Sequence, residues 1–157
     1  MAKLGVFAEE IIIPENACYK IDDDVPIEVA CLIGCSVTTG IGGVINQKDI
    51  FPGATIAVFG TGGVGLNSIL GGSLMNSSKI IAVDILDSKL EFSYKFGATH
   101  TINSKNENAV DKILELTNGQ GVDFGFDAFG SPITTCLLYT SPSPRDSWAS
   151  RMASCGW

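Results

Sequence analysis

Between residues 50 and 128, short runs of apolar, β-branched residues alternate with segments whose apolar side chains recur at helical spacing. Thr55 to Phe59 is one such run. It follows the turn pair Pro52-Gly53, and its apolar character predicts a strand buried on both faces, as in a parallel sheet. Leu66, Ile69, Leu70 and Leu74 then recur at i, i+3, i+4 and i+8, one apolar face of a helix. Lys79 to Val83 predicts a second strand, ending at Asp84. Asp87 is placed to cap a helix running through Phe96, with Gly97 where a left-handed residue would end it. His100 to Asn103 predicts a third short strand. Asn108 to Thr117 predicts a helix with Ile113, Leu114 and Leu116 on its apolar side, and Val122 to Ala128 a fourth strand. Strands alternating with helices in this order predict an α/β fold, a doubly wound parallel sheet with right-handed crossovers.

Composition narrows the function classes. A chain of 157 residues suits one ordinary domain. Hydrophobic residues make up 45% and charged residues 17%, enough apolar mass to build a core and too much for wholesale disorder. The net charge of −7 argues against nucleic acid or an anionic membrane as the main partner, because both select a basic face. No uninterrupted apolar run approaches the roughly 18–20 residues of a membrane span. Glu9 and Glu10 interrupt the start before a signal-peptide core can form. The five cysteines, Cys18, Cys31, Cys35, Cys136 and Cys155, are odd in number and irregularly spaced. They form no disulfide framework, so a reduced, cytoplasmic compartment is expected.

The composition breaks near residue 136. All eight lysines lie between Lys3 and Lys112, whereas both arginines, Arg145 and Arg151, and both tryptophans, Trp148 and Trp157, fall in the last stretch. The run Ser141-Pro142-Ser143-Pro144 has neither the helical nor the strand period, and residues 136–146 resemble translated sequencing-adapter read-through. Residues 136–157 are therefore expected to be an unrelated, artefactual tail, set aside before fold reasoning. A natural disordered terminus is the alternative.

Gly60-Thr61-Gly62-Gly63-Val64-Gly65 carries the first candidate chemistry. A lone G-x-G-x-x-G is weak and can be an ordinary glycine-rich turn. Here it follows one predicted strand and opens one predicted helix, the context that gives it a mechanism. Gly60 would permit the tight turn, Gly62 would leave room for a pyrophosphate, and Gly65 would let helix and sheet pack closely. Unpaired amides at the helix start, aided by its dipole, would face the phosphates. Asp84 ends the next strand, nineteen positions after Gly65, where a carboxylate can accept from ribose hydroxyls. That charge repels a 2′-phosphate and no arginine stands after it in the body, so NAD is expected over NADP. The alternative for Asp84 is a helix-capping or strand-end turn residue.

The second constellation, residues 34–42, contains Cys35 and Thr39 among small residues. A single cysteine in such surroundings is usually a buried filler. Catalytic zinc needs three protein ligands, and no C-x-x-C pair and no nearby histidine support Cys35. His100, the sole histidine, reads as a surface or strand-end residue.

Taken together, Cys31-Leu32-Ile33-Gly34-Cys35, Thr39-Gly40-Ile41-Gly42, Ala57-Val58-Phe59 with the glycine loop, Ile80-Ile81-Ala82-Val83-Asp84, Lys89, Phe96-Gly97-Ala98-Thr99 and Gly121-Val122-Asp123-Phe124 resemble the zinc-dependent, medium-chain alcohol dehydrogenases. The resemblance is strongest to the class III branch, which oxidises S-(hydroxymethyl)glutathione, and to related aryl-alcohol enzymes; it covers about residues 4–134. It implies a Rossmann-type NAD-binding domain over residues 26–135, preceded by a remnant of a GroES-like catalytic domain at residues 1–25, the latter as a single returning strand. It implies that Cys35 is one ligand of the catalytic zinc and that Thr39 lies near the nicotinamide carboxamide. Val64 would press on the nicotinamide ring, Asp84 and Lys89 would hold the adenosine ribose, and Ile85 and Phe129 would flank the adenine. For Val64 and Ile85 ordinary packing remains the alternative, and for Lys89 a solvated helix face.

The family pattern also has parts this sequence lacks: the remaining zinc ligands, the proton relay, the structural-zinc lobe and the last strands of the cofactor domain, which pair across a dimer axis. The expectation is thus an incomplete fold and a fragment of an enzyme that oxidises a small-molecule alcohol by hydride transfer to NAD, aided by zinc. The parent would be a homodimer or homotetramer, and the fragment would lack the dimer interface and turnover. Three competitors remain. They are an inactive NAD-binding module, a methyltransferase with its own glycine-rich loop, and a truncated product that does not fold.

Overall fold

The computed structural model describes residues 8–140. Strands β1 (Thr55–Phe59), β2 (Lys79–Asp84), β3 (His100–Asn103) and β4 (Phe124–Asp127) form one sheet in the order β3-β2-β1-β4, with every pair parallel. Ahead of the sheet, α1 (Ile27–Leu32), a π-helical turn (Ile33–Val37) and α2 (Thr38–Ile45) run on as one helix. Helices α3 (Gly63–Leu74), α4 (Asp87–Ser93), α5 (Ala109–Leu116) and α6 (Pro132–Thr140) alternate with the strands. From β1 the chain winds outward through β2 to β3 and then returns to the far side of β1 as β4. The strand order reverses between β1 and β4, the position where doubly wound sheets open a crevice at the carboxyl ends of their strands.

The apolar runs form strands because both of their faces are covered. Ala57, Phe59, Ile81, Val83 and Ile102 pack with Ala109, Ile113 and Val122 on one face. Ile56, Val58, Ile80 and Ala82 pack with Ile69, Leu90 and Ala98 on the other. Polar side chains close the element ends. The Thr55 N–H donates to Asp123 Oδ2 at 2.8 Å, fixing the entry to β1. Lys79 Nζ donates to the Leu116 carbonyl at 2.6 Å, which satisfies an orphan acceptor at the end of α5. Asn108 caps α5 by accepting from the Val110 N–H at 3.0 Å, and Gly97 takes φ 105° after the 3₁₀ turn Tyr94–Phe96.

Several local expectations are corrected. Helix α3 does not bury the Leu66, Leu70 and Leu74 stripe; Leu74 is 61% exposed. Its buried positions are Gly65, Ser68, Ile69, Gly71 and Gly72. The helix is wedged between the sheet and α2 so tightly that a Cβ on Gly72 would strike Ile56 Cδ1, and one on Gly71 would lie 3.0 Å from Val44 Cβ. Small residues are the face that fits. Asp87 is not the cap of α4. It is the first helical residue, following Leu86, and accepts from Asn103 Nδ2 at 2.5 Å. Strand β4 is shorter than Val122 to Ala128, although the N–H groups of Asp123 and Ala128 still donate to the Thr55 and Phe59 carbonyls at 2.9 Å.

Residues 8–25 contain one 3₁₀ turn, Glu15–Ala17, and no strand, so the expected returning strand is not formed within the described part of that segment. No uninterrupted apolar run has the length needed to cross a membrane, since Glu28, Ser36, Thr38 and Thr39 break the apolar sequence of the helix formed by α1, the π turn and α2. Taken whole, Ile27–Ile45 is long and apolar enough to cross one by length and composition, although its Gly40 and Val44 are buried against the rest of the chain. A single such helix is weak evidence for a membrane. Helix α6 runs through residue 136 without a break, and Leu137 packs against the core, so the change in composition does not fall on an element boundary. Met1 to Phe7 and residues 141–157, with Arg145, Trp148 and Cys155, lie outside the described residues.

Candidate functional site

The glycine loop leaves β1 at its carboxyl end and turns into α3. The fold requires two of its three motif glycines, each for a different reason. Gly60 has φ 91°, a left-handed backbone that side chains disfavour, and its N–H donates to the Val83 carbonyl at 2.8 Å. At Gly65 a Cβ would run into the Gly60 carbonyl oxygen, so only glycine lets α3 approach the strand end. Gly62 differs from both. Its φ is −76° and a Cβ there would meet nothing within 4 Å. It is the N-cap of α3 and has no side chain to accept from the first-turn N–H groups.

Asp84, at the end of β2, is tied to this loop. Its Oδ2 accepts from the Thr61 N–H and the Thr61 hydroxyl, both at 2.8 Å. Its Oδ1 accepts from the N–H groups of Ile85 at 2.8 Å and Leu86 at 3.2 Å. Burial pushes the carboxyl up, but the hydrogen bonds from Thr61, Ile85 and Leu86 outweigh it and hold Asp84 below the ordinary carboxylate value. Asp84 is therefore also the turn residue that the alternative reading named.

On the far side of β1, Asp127 ends β4. It accepts from the Phe129 and Gly130 N–H groups at 3.0 and 2.9 Å and from the Thr134 and Thr135 hydroxyls at 3.0 and 3.1 Å. These bonds shape the loop that carries Phe129. That side chain is 70% exposed, with its Cβ next to the space above Gly60. Ile85 is 57% exposed at the end of β2, and Lys89 is exposed on α4.

The structure brings the two sequence constellations together. The π-helical turn Ile33–Val37 lies on the amino end of α3, where Ser36 Oγ fills the space that a Cβ on Gly63 would take, 2.6 Å away. Asn67 Nδ2 donates to Ser36 Oγ at 3.3 Å and to the Gly63 carbonyl at 2.8 Å. Gly40 is buried where α2 crosses α3, and a Cβ there would lie 2.5 Å from Asn67 Cβ. Cys35 and Thr39 remain exposed beside this joint, and Val64 is half-buried in the first turn of α3. A π turn inserted in an α-helix is a geometry often found at functional sites. Among the described residues no group of three or more His, Cys, Asp or Glu could hold a metal ion, so Cys35 is a single donor there. His100 opens β3, where Nδ1 meets Thr99 Oγ1 at 2.9 Å. Among the described residues Cys18, Cys31, Cys35 and Cys136 form no disulfide.

Sequence reasoning had no role for Thr61, Ser36, Asn67 or Asp127. Thr61 stands at a variable position of the motif, and Ser36 and Asn67 matter only through a helix crossing. Asp127 did carry a signal, an acid closing a strand as Asp84 does.

A glycine-lined strand-to-helix turn, an acid at the next strand end and a reversal of strand order beside them are the marks of a dinucleotide-binding type of α/β domain. Residues 63–143 match the zinc-binding dehydrogenase family. The chain belongs to that family. It is 41% identical over 132 residues to S-(hydroxymethyl)glutathione dehydrogenase of Saccharomyces cerevisiae, covering 81% of this chain and 34% of that protein. It is 44% identical over 133 residues to the Paracoccus denitrificans enzyme of the same name, covering 81% and 36%. Benzyl alcohol dehydrogenase from Acinetobacter calcoaceticus superposes with a TM-score of 0.74 at 39% identity, over 79% of this chain and 34% of that one. The chain thus spans about a third of the length of the curated relatives it matches.

Proposed function

We propose that this chain is the nucleotide-binding part of an NAD-dependent zinc alcohol dehydrogenase acting on a small-molecule alcohol, with S-(hydroxymethyl)glutathione or an aryl alcohol as the substrate class. The observation that carries this reading is the contrast between Gly65 and Gly62. Gly65 is glycine because the protein itself fills the space beside it, whereas the space beside Gly62 is empty and its backbone angles suit any residue. A glycine that the fold does not need, at an uncapped helix start, leaves room for a ligand. A pyrophosphate has the right charge for that place.

Around it, Asp84 would accept from the adenosine ribose, with Lys89 beside it. Ile85 and Phe129 offer exposed apolar surface for the adenine, and Val64 and Thr39 stand toward the joint where a nicotinamide would lie. When bound, NAD supplies the hydride-accepting ring. Cys35 would contribute one thiolate to the catalytic zinc, and among the described residues no further donors gather with it to hold that metal. A cytoplasmic location and a dimeric or tetrameric parent belong to the same proposal.

The test is a fluorescence titration of the 157-residue chain with NADH, repeated with Gly62→Val. Binding by the wild type and its loss in a variant with an unchanged circular-dichroism spectrum is the expected result. Equal binding by both would show that the space at Gly62 is not used, and absence of wild-type binding would remove the reading. With alcohol and NAD the chain alone is expected to show no turnover; NADH production would overturn that.

A further inference from the structure

Thr61 is 1% exposed and polar, and both of its donors go to one oxygen of one carboxylate. Asp84 in turn receives four donors, two on each oxygen, which fills the four lone-pair directions an ionised carboxylate offers. Three of the four are backbone N–H groups, set by the glycine loop and by the turn after β2. The Thr61 hydroxyl is the one side-chain donor, and its residue is buried. Ribose hydroxyls arriving from the crevice must therefore add to a carboxylate already locked in place, as further, shared donors.

We propose that Thr61 is a positioning residue: its hydroxyl fixes the plane of the Asp84 carboxylate so that one oriented anionic edge faces the adenosine ribose, and it thereby sets the preference for a free 2′-hydroxyl over a 2′-phosphate. This rests on the dinucleotide reading above and deepens it. Without the hydroxyl, Oδ2 keeps a single N–H while Oδ1 keeps two, so the Oδ2 edge is held less firmly against an incoming 2′-phosphate. The same hydroxyl helps hold Asp84 ionised, since it is one of the bonds that outweigh its burial.

Thr61→Val removes the hydroxyl at nearly constant volume, and Thr61→Ser retains it. Two readouts are taken on the full chain. The first is the ratio of NADH to NADPH dissociation constants by fluorescence titration. The second is the Asp84 carboxyl titration followed by carbon-13 NMR in the absence of any nucleotide. In Thr61→Val the NADH preference is expected to fall about tenfold, the loss of one charge-assisted hydrogen bond. The Asp84 titration should move up toward the ordinary carboxylate value, and Thr61→Ser should restore both. An unchanged ratio in Thr61→Val overturns the proposal. So does tighter NADH binding, which would mean that the hydroxyl competes with ribose for Oδ2. A wild-type chain that binds neither nucleotide overturns this proposal together with the dinucleotide reading; the NMR titration then shows separately whether Thr61 holds the carboxylate. Should Thr61→Val fail to fold, Thr61→Ala provides the same comparison against Thr61→Ser.

Discussion

The β1-α3-β2 unit and the helix Ile27–Ile45 are similarly apolar, yet they use that character in opposite ways. In the first, Ile56, Val58, Ile69 and Ile81 are fully buried, and even the glycines are pressed against neighbours. In the second, Ile27 is 77% exposed, and Val29, Leu32 and Ile33 are exposed with it. The two meet where Gly40, Ile41, Val44 and the π turn rest on α3. The difference separates what a local sequence settles by its own packing from what it leaves to other surfaces. The glycine loop and the Asp84 carboxylate it binds both lie within the β1-α3-β2 unit. Cys35 lies on the other region, and the partners that would give it a metal-binding role are not among the described residues.

The largest effect should come from Gly65→Ala. The new Cβ would collide with the Gly60 carbonyl, which is backbone and cannot swing aside. Overpacking at such a rigid place is expected to cost on the order of 3 kcal/mol or more, read as a lower urea midpoint with an unchanged slope. Gly40→Ala ranks next. Its Cβ would press on Asn67 and the Val64 carbonyl, forcing α2 off α3 at about 1–3 kcal/mol. If Gly40→Ala proved as harmless as a surface change, the crossing of α2 and α3 would not contribute to stability, and the two regions would be energetically separate.

Much of this contrast was legible in the sequence, for reasons that particular residues make plain. Thr55 to Phe59 and Lys79 to Val83 are covered on both faces, so unbroken apolar runs marked them without tertiary knowledge. Gly97 and Asn108 announced helix ends through chemistry confined to a few residues. The α3 stripe misled because the helix packs through the absence of side chains, and a pattern of leucines cannot report that Gly71 and Gly72 are the contact surface. Thr61 was invisible for a related reason. Its significance lies in reaching a carboxylate 23 positions away, and motif spacing constrains the glycines around it but not the residue itself.

A smaller, pH-dependent effect tests the link inside the buried unit. Asp84 is held below the ordinary value of 3.8, so the folded state favours its ionised form. The stability this contributes is complete above 3.8 and is lost as the pH falls through the lower folded-state value. Asp84→Asn lacks the ionisation at every pH. The stability gap between wild type and Asp84→Asn should therefore be constant near neutrality and should narrow on acidification below 3.8, measured by thermal melts across that range. A gap that widened in acid would mean that burial of the carboxylate, rather than its hydrogen bonds to Thr61, Ile85 and Leu86, decides the shift.

Gly43→Ala should give the smallest change and the opposite sign. It lies on the same helix as Gly40, one position before buried Val44, but on the exposed side, where a Cβ would meet nothing within 4 Å. Glycine in an exposed helix interior costs about 0.5–1 kcal/mol relative to alanine through backbone entropy, so the substitution should stabilise α2 by that order. Thermal melts of Gly40→Ala and Gly43→Ala side by side thus read the two faces of one helix. The inner face should lose stability because its glycine is a packing surface, and the outer face should gain because its glycine is not. If Gly43→Ala instead lowers the melting temperature, the outer face of α2 is in contact with something in solution, and its apolar surface already serves as an interface.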